Sequence, residues 1–284
     1  MTMIRPRRSA LYLPASNARA IEKARTLDAD VVILDLEDAV APEMKLAARD
    51  AAVAAAREGG FGNRELVIRV NGLDTEWGRD DLAAVAHSNA DAVLAPKVSS
   101  AEDVARYAAG LGGKPLWAMI ETCAAMFQLA PIASAARAAR LECFVMGTND
   151  LAKEMRIRLT ADRTPFHPFL SMSVAAARMA GIAVLDGVCN AIEDVAQLQA
   201  ACAEGVAFGF DGKTLIHPAQ IAIANAAFAP SEAELAEAQA IIAAFADPEN
   251  AGKGAIRVNG KMTERLHLVQ AEQAVAVAAA IAAR

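Results

Sequence analysis

The chain lacks the short motifs that identify several large enzyme classes. It contains no Gly-x-Gly-x-x-Gly, no Walker-type phosphate loop, no Gly-x-Ser-x-Gly elbow and no His-Glu-x-x-His. Those motifs build, in turn, dinucleotide sites, nucleotide phosphate sites, serine nucleophiles and zinc sites. Their absence argues against four enzyme classes: Rossmann oxidoreductases, P-loop nucleotidases, serine hydrolases and zincins.

A basic stripe interleaved with aromatic residues is also missing. The formal net charge is -6, the pI is about 5.4 and only 5% of the residues are aromatic. Because binding to a nucleic acid requires neutralisation of its phosphates, this composition argues against a nucleic-acid partner. We instead expect a globular acidic enzyme with a small-molecule substrate.

Long apolar runs and paired cysteines are equally scarce. No apolar run reaches membrane-spanning length, and the short one after the basic N-terminus is interrupted at Pro14, unlike a secretory leader. The four cysteines have no Cys-x-x-Cys spacing, which favours reduced core thiols. We therefore expect a cytoplasmic protein without a membrane partner.

What the sequence does contain is an alternation of short apolar runs with alanine-rich amphipathic segments, which predicts an α/β fold with a parallel sheet. Strands in this number favour a closed (β/α)8 TIM barrel over an open sheet. We place a catalytic barrel at residues 1–225 and a C-terminal helical extension at 226–284, which caps its own barrel or packs on a neighbouring subunit. The eight predicted strands are Ser9 to Pro14, Val31 to Glu37, Leu66 to Val70, Ala92 to Val98, Leu116 to Glu121, Cys143 to Gly147, Ala183 to Cys189 and Val206 to Phe210.

Polar residues, among them Lys97 and Asp211, cluster where these predicted strands end, at the barrel face that carries active sites. Glu121 and Asp150 follow two of the strands. Two carboxylates without a neighbouring His or Cys suit Mg²⁺, or Mn²⁺, better than zinc. The alternative is that Glu121 caps the next helix and Asp150 pairs with Lys153 or Arg156.

Arg69 stands near the end of a third strand, where a guanidinium binds a carboxylate or polarises a carbonyl oxygen. Asp35 or Glu37, at the neighbouring strand end, is expected to hold it in place; a purely structural Arg-Asp pair is the alternative. Arg19 and Lys23 lie one helical turn apart beside the first strand and suit phosphates, although most such pairs are only solvated.

These motifs, in this order, resemble those of the citrate lyase beta-subunit-like family of the HpcH/HpaI aldolase superfamily. The resemblance covers nearly the whole chain, and its strength lies in the order of the motifs rather than in any single one. The motifs are Arg8-Ser9-Ala10-Leu11-Tyr12-Leu13-Pro14, Leu34-Asp35-Leu36-Glu37-Asp38-Ala39-Val40, Ile68-Arg69-Val70-Asn71, Pro96-Lys97-Val98, Ile120-Glu121-Thr122, Gly147-Thr148-Asn149-Asp150-Leu151 and Gly212-Lys213-Thr214-Leu215-Ile216-His217-Pro218.

The resemblance implies a Mg²⁺-dependent carbon-carbon lyase that cleaves, or forms by a Claisen-type condensation, a 3-hydroxy-3-carboxyacyl-CoA thioester such as malyl-CoA or citramalyl-CoA. The products of cleavage would be acetyl-CoA and a 2-oxo acid. A homo-oligomer, a trimer or hexamer, is implied as well. By position, Glu121 and Asp150 resemble the metal ligands, Arg69 the catalytic arginine, and Tyr12, Arg19, Lys23 and Asp186 substrate-binding residues.

The C-terminal segment departs from the family pattern. Several relatives carry there a Met-Ile-Asp motif, donated by a neighbouring subunit, whose aspartate acts as the acid/base. The corresponding stretch here is Met262-Thr263-Glu264, so Glu264 is the candidate catalytic residue, with a side chain longer by one methylene.

A thioesterase activity that follows condensation is also possible in such a site, and three other functions remain open. The chain is alternatively the beta subunit of a citrate lyase complex acting on a carrier-bound citryl thioester. It is alternatively an aldolase that uses free pyruvate, although the histidine base of such enzymes is absent from the matching strand ends. The third alternative is a non-catalytic barrel that only binds acyl-CoA or a partner protein, because a fold does not guarantee an activity.

Overall fold

Eight parallel strands close into a barrel in the computed structural model of the chain, which describes residues 5–284. Each strand pairs with the next one along the chain, and the first pairs with the last. The predicted (β/α)8 barrel is therefore confirmed. The strands are β1 (Ser9–Pro14), β2 (Val31–Asp35), β3 (Glu65–Arg69), β4 (Ala92–Ala95), β5 (Leu116–Ile120), β6 (Leu141–Met146), β7 (Ala183–Asp186) and β8 (Gly212–Leu215).

Helices separate the barrel strands and cover the outside of the sheet. In the second of them, Ala48, Ala52 and Ala55 recur at helical spacing and are buried, and Gly59, at a positive φ of 69°, ends the helix. The helices of this part of the chain are α1 (Ala18–Ala24), α2 (Lys45–Glu58), α3 (Gly78–Ala86), α4 (Ala101–Gly110), α5 (Cys123–Ser134), α6 (Ala136–Ala139), α7 (Thr148–Met155), α8 (His167–Ala180), α9 (Val195–Phe208) and α10 (Ile221–Ala227).

The inside of the barrel is a packed apolar core and not a pore. Branched and aromatic side chains from successive strands fill it, with Trp117 fully buried among them. Because the inside is filled, only the loops at the two ends of the barrel are available for chemistry. All four cysteines are free thiols, and the predicted core position is confirmed for three of them, whereas Cys123 is only partly buried. Within residues 5–284, none of the helices has both the length and the apolar character that crossing a membrane requires.

The predicted eighth strand, Val206 to Phe210, is wrong. Val206 to Phe208 form the end of α9, which Gly209 terminates at a φ of 90°, and the true strand is β8. A short apolar run fits a helix and a strand equally well. β8 escaped detection because its central Lys213 is polar, although that side chain is completely buried.

The shifted strand also moves Asp211 to the opposite end of the barrel. It precedes β8, and its carboxylate accepts hydrogen bonds from both terminal nitrogens of Arg178, at 2.8 and 2.9 Å. Asp211 therefore does not belong to the polar cluster at the carboxyl ends of the strands.

The chain folds as two compact units, Arg7–Ala226 and Ala227–Arg284, the latter grouped with Arg5 and Pro6. The prediction placed this division at 225/226. The second unit contains α11 (Glu232–Ala246) and α12 (Arg265–Ala282), which pack on each other, and the hairpin of β9 (Ala255–Val258) and β10 (Lys261–Glu264). That the extension packs on a neighbouring subunit stays a prediction.

Gly212, the first residue of β8, lies against the backbone of the segment just before β1. A Cβ atom there would lie 1.8 Å from the backbone carbonyl oxygen of Arg7. We expect Gly212→Ala to destabilise the chain by about 3 kcal/mol, because neither backbone can withdraw without breaking the closure. Urea unfolding measures this. Gly254→Ala, where a Cβ meets no atom within 4 Å, is the control, and equal midpoints for the two variants would contradict the expectation.

Candidate active site

Glu121 lies directly after β5 with its side chain almost completely buried. Its Oε1 accepts a hydrogen bond from the backbone N–H of Lys97 at 2.9 Å, whereas its Oε2 has no hydrogen-bond partner among the described residues. The cap of α5 is Thr122 and not Glu121, so the alternative of a capping role does not hold. A buried carboxylate oxygen without a partner is costly and requires an explanation.

The neighbouring strand end leaves space for this carboxylate. Ile120 pairs with Met146, which places Gly147 beside Glu121, and a Cβ at Gly147 would lie 2.2 Å from Oε2. Gly147 is the N-cap residue of α7, and Asp150 belongs to the first turn of that helix. Among residues 5–284, the Asp150 side chain forms no hydrogen bond or ion pair, so it does not pair with Lys153 or Arg156.

Arg69 is held by two acidic residues of the adjacent strand end. Its Nε and Nη2 donate to the two oxygens of Asp35, at 2.7 and 2.6 Å, and Nη1 lies 2.9 Å from Glu37 Oε2. The parallel register places Asp35 directly opposite Arg69. Burial alone lowers the pKa of Arg69, but Asp35 outweighs it and the pKa rises above its ordinary value. The guanidinium therefore stays charged.

Tyr12 and Met119 fill the space next to this guanidinium. The Arg69 Cζ lies 4.9 Å from the centroid of the Tyr12 ring, and Nη1 lies 3.5 Å from the Met119 sulfur. The Tyr12 hydroxyl lies 3.6 Å from the same sulfur. Burial raises the pKa of Tyr12, so the phenol stays neutral. Tyr12 thus stacks on the arginine, with one face of the guanidinium covered.

Arg19 and Lys23 lie on α1, the helix that follows β1. Both side chains are exposed, and neither forms an ion pair or a side-chain hydrogen bond within the described part of the chain. Their spacing of four residues places them on one face of the helix. Two unpaired cations close to the carboxyl end of the barrel fit an anionic group. Their contact with a phosphate stays a prediction.

The structure surrounds Asp186 with cations. Its carboxylate is fully buried and accepts hydrogen bonds from Arg163 Nη1 at 2.7 and 2.8 Å and from Lys213 Nζ at 2.7 Å. Burial raises the pKa of Asp186, but Lys213 and Arg163 outweigh it and lower the pKa overall. Contact of Asp186 with substrate stays a prediction, and in this structure its oxygens are committed to these two cations.

Arg163 was missed in the sequence because it lies in the polar loop after α7, outside any strand end. It also forms an ion pair with Glu204, whose other oxygen lies 2.6 Å from His167 Nε2. Arg163 is recognised as part of this cluster only through its ion pair with Asp186 on β7, and that contact is formed by the tertiary fold.

Glu264 ends β10 in the C-terminal unit and immediately precedes α12. Its backbone N–H donates to His267 Nδ1 at 2.9 Å. The hairpin that carries Glu264 turns through Asn259 and Gly260, both at positive φ, as a two-residue hairpin turn requires. A catalytic role for Glu264 stays a prediction.

The acidic residues at the barrel mouth fit a divalent cation. Within residues 5–284 no group of three or more His, Cys, Asp or Glu is arranged to hold a metal. Two carboxylates, one of them with a buried and unpartnered oxygen, instead match Mg²⁺, which keeps several waters and binds few protein ligands. Further ligands would then come from water or substrate.

Burial, and then the negative charge of Glu37, raise the pKa of Glu121 to about 8. The folded, metal-free chain therefore holds a proton that the unfolded chain releases near pH 4.5. Because the unfolded state binds fewer protons between these two values, stability falls as the pH rises through that window.

We expect the free energy of unfolding of the metal-free chain to fall by roughly 3 kcal/mol between pH 4.5 and pH 7 through this group alone. Urea titrations in the presence of a chelator measure this. Glu121→Gln cannot titrate and serves as the reference, so the two proteins should diverge in slope. Parallel pH dependences would refute the assignment.

Comparison with known proteins shows the family to which the chain is similar. The family model described as HpcH/HpaI aldolase/citrate lyase matches residues 8–218. The chain is 51% identical to a (3S)-malyl-CoA thioesterase of Cereibacter sphaeroides, over 98% of this chain and 96% of that protein. It is 33% identical to an L-malyl-CoA/beta-methylmalyl-CoA lyase of the same species, over 98% and 96% of the two chains.

A similar solved structure is the protein CitE from Mycobacterium tuberculosis in complex with magnesium, acetoacetate and coenzyme A. It is 32% identical, has a TM-score of 0.79, and the match covers 96% of this chain and 98% of that chain. Together with the family match, these relatives confirm the resemblance read from the strand-end motifs. The chain belongs to the HpcH/HpaI aldolase/citrate lyase family.

Proposed function

We propose that the chain is a Mg²⁺-dependent enzyme that hydrolyses the thioester of (3S)-malyl-CoA or of a closely related 3-hydroxy-3-carboxyacyl-CoA. The observation that carries the proposal is the unpartnered buried oxygen of Glu121, beside the Arg69 cluster, in a chain 51% identical to a thioesterase of that substrate. Mn²⁺ is the expected substitute for Mg²⁺.

Glu121 and Asp150 would hold the metal ion. When bound, the ion would act as a Lewis acid on substrate oxygens and balance the charge of the substrate carboxylate. Glu121 offers it a single oxygen, because Lys97 already binds the other one. Asp150, without a protein partner, offers the second carboxylate.

Arg69 would bind the oxygen on which negative charge develops. Asp35 fixes the direction of the guanidinium from one side and Glu37 from another, so the donor is oriented before the substrate arrives. In hydrolysis that oxygen is the thioester carbonyl oxygen, and the carbon-sulfur bond breaks to give malate and the CoA thiol. Prior orientation is the source of the rate gain, because no dipole has to rotate during the reaction.

Five further residues have proposed roles at the edges of the site. Arg19 and Lys23 would bind phosphates of the CoA moiety, and Tyr12 and Asp186 would bind the substrate. Glu264 would be the acid/base, taking a proton from the attacking water, and a neighbouring copy of the chain would supply it. In this proposal, the homo-oligomer is required for catalysis, because each site uses a residue of a neighbouring copy.

Carbon-carbon cleavage is the second candidate. It is supported by the 33% identity to a malyl-CoA lyase and by 32% identity to the beta subunit of citrate lyase from Escherichia coli. Here Arg69 would stabilise the hydroxyl oxygen as it becomes a carbonyl, and Glu264 would protonate the acyl enolate. The products would then be acetyl-CoA and glyoxylate, with no free thiol.

One assay separates the two reactions. Purified chain is incubated with (3S)-malyl-CoA and Mg²⁺, and free thiol, malate, glyoxylate and acetyl-CoA are quantified together. Equal amounts of thiol and malate support hydrolysis, and equal amounts of glyoxylate and acetyl-CoA support cleavage. If neither pair forms, and binding of malyl-CoA is still measured by calorimetry, both enzymatic proposals are wrong and the non-catalytic barrel is favoured.

A further inference from the structure

Lys97 adopts a backbone conformation that residues with a Cβ atom avoid. Its φ is 52°, in the left-handed region, and it follows β4 by two residues at the carboxyl end of the barrel. Such a conformation persists only where the surroundings fix it, and it tends to occur at functional sites. The sequence identified Lys97 only as one polar residue among several at the strand ends.

The contacts of Lys97 reach both acidic groups of the candidate site. Its backbone N–H donates to Glu121 Oε1 at 2.9 Å, and its ammonium forms an ion pair with Glu37 Oε1. The other oxygen of Glu37 lies 2.9 Å from Arg69 Nη1. One residue thus connects, through direct contacts, the carboxylate with the unpartnered oxygen and the carboxylate that holds the arginine.

We propose that Lys97 is a positioning residue for both halves of the site: its backbone N–H fixes Glu121 with Oε2 free, and its ammonium holds Glu37 against Arg69. The two tasks belong to different atoms of the residue. The inference rests on the proposed function, since Glu121 is a metal ligand and Arg69 a catalytic group only there.

The left-handed backbone is what allows one residue to perform both tasks. The amide hydrogen points towards Glu121, directly after β5, while the side chain extends back towards Glu37 beyond β2. Glycine tolerates this φ, whereas β-branched residues strongly resist it. Substitutions at position 97 therefore separate the backbone task from the ammonium task.

The test measures Mn²⁺ binding by electron paramagnetic resonance and the kcat for (3S)-malyl-CoA. Lys97→Gly keeps the backbone geometry and should bind Mn²⁺ as the unmodified chain does, with a kcat about tenfold lower. Lys97→Val should weaken Mn²⁺ binding about tenfold relative to Lys97→Gly, because a β-branched residue at positive φ costs about that factor. Lys97→Arg should restore kcat to within a few-fold, since the cation returns.

The control is Arg140, another non-glycine residue in the left-handed region, with a φ of 49°. It immediately precedes β6, at the opposite end of the barrel. Arg140→Val should lower the melting temperature relative to Arg140→Gly and leave Mn²⁺ affinity and kcat unchanged. If Lys97→Val does not fold, Lys97→Thr takes its place, because threonine is also β-branched.

Four outcomes overturn the inference in part or as a whole. Equal Mn²⁺ affinity in Lys97→Gly and Lys97→Val excludes the backbone task, and an unchanged kcat in Lys97→Gly excludes the ammonium task. A metal that fails to bind the unmodified chain overturns the proposed function and this inference with it. Binding by the unmodified chain without any effect at position 97 overturns the inference alone.

Discussion

Replacing Glu121 with glutamine should abolish metal-dependent turnover, with a loss in kcat/KM of about a thousandfold, because a metal ligand supplies several kcal/mol of charge stabilisation. Glutamine keeps the volume of the side chain and an oxygen acceptor for the Lys97 N–H, but it removes the negative charge. The structural reason for so large an effect is that Oε2 has no other task in the described chain. Initial rates at saturating Mg²⁺ and Mn²⁺ titrations measure the loss.

The matched control for this variant is Glu58→Gln. The Glu58 side chain is 63% exposed at the end of α2, where its ion pair with Arg25 is solvated. We expect it to keep the full rate. Turnover of Glu121→Gln at the rate of the unmodified chain, or an unchanged affinity for Mn²⁺, would end the metal assignment.

Replacing Arg69 with lysine should lower kcat by about 100- to 1,000-fold, the effect of removing one oriented donor from an oxyanion site. Lysine retains the charge but loses the planar fork that engages both oxygens of Asp35 while the third nitrogen, Nη1, faces Glu37. The affinity for Mn²⁺ should stay within a few-fold, because the two proposed metal ligands, Glu121 after β5 and Asp150 in α7, do not contact Arg69. Steady-state kinetics combined with Mn²⁺ titration separates the two quantities.

Arg178→Lys supplies the same chemical change in a different place. Arg178 forms a two-fold hydrogen-bonded pair with Asp211 at the amino end of β8. Its replacement should lower stability slightly and leave kcat intact. A fall in kcat for Arg178→Lys as large as that for Arg69→Lys would show that the effect reports on the barrel scaffold rather than on catalysis.

Seven of the barrel strands were predictable because their apolar runs are long enough to stand out locally. β1 was predicted with its observed bounds, and the others within a few residues. The eighth strand was not predicted, because its sequence contains no such apolar run. Lys213 is acceptable in a buried strand only because Asp186, on the neighbouring strand, neutralises it, and no local pattern contains that information.

The candidate site shows the same division between local and tertiary information. The acidic residues and Arg69 were recognisable by type and by position after a strand. The partners that give them their properties were not, because Lys97 contributes through a backbone angle and Gly147 through the absence of a side chain. Arg163 reaches the strand ends from a loop, so sequence position gives no indication of it.

The barrel closes between the strands that lie farthest apart in the chain, which has a consequence for folding. Ser9 pairs with Lys213, and its hydroxyl lies 2.7 Å from the amide oxygen of Asn225. These contacts can form only after almost the whole barrel sequence has been synthesised. Closing so long a loop is entropically unfavourable and slows folding. During synthesis, β1 therefore remains an open sheet edge, available for incorrect pairing, until β8 has left the ribosome.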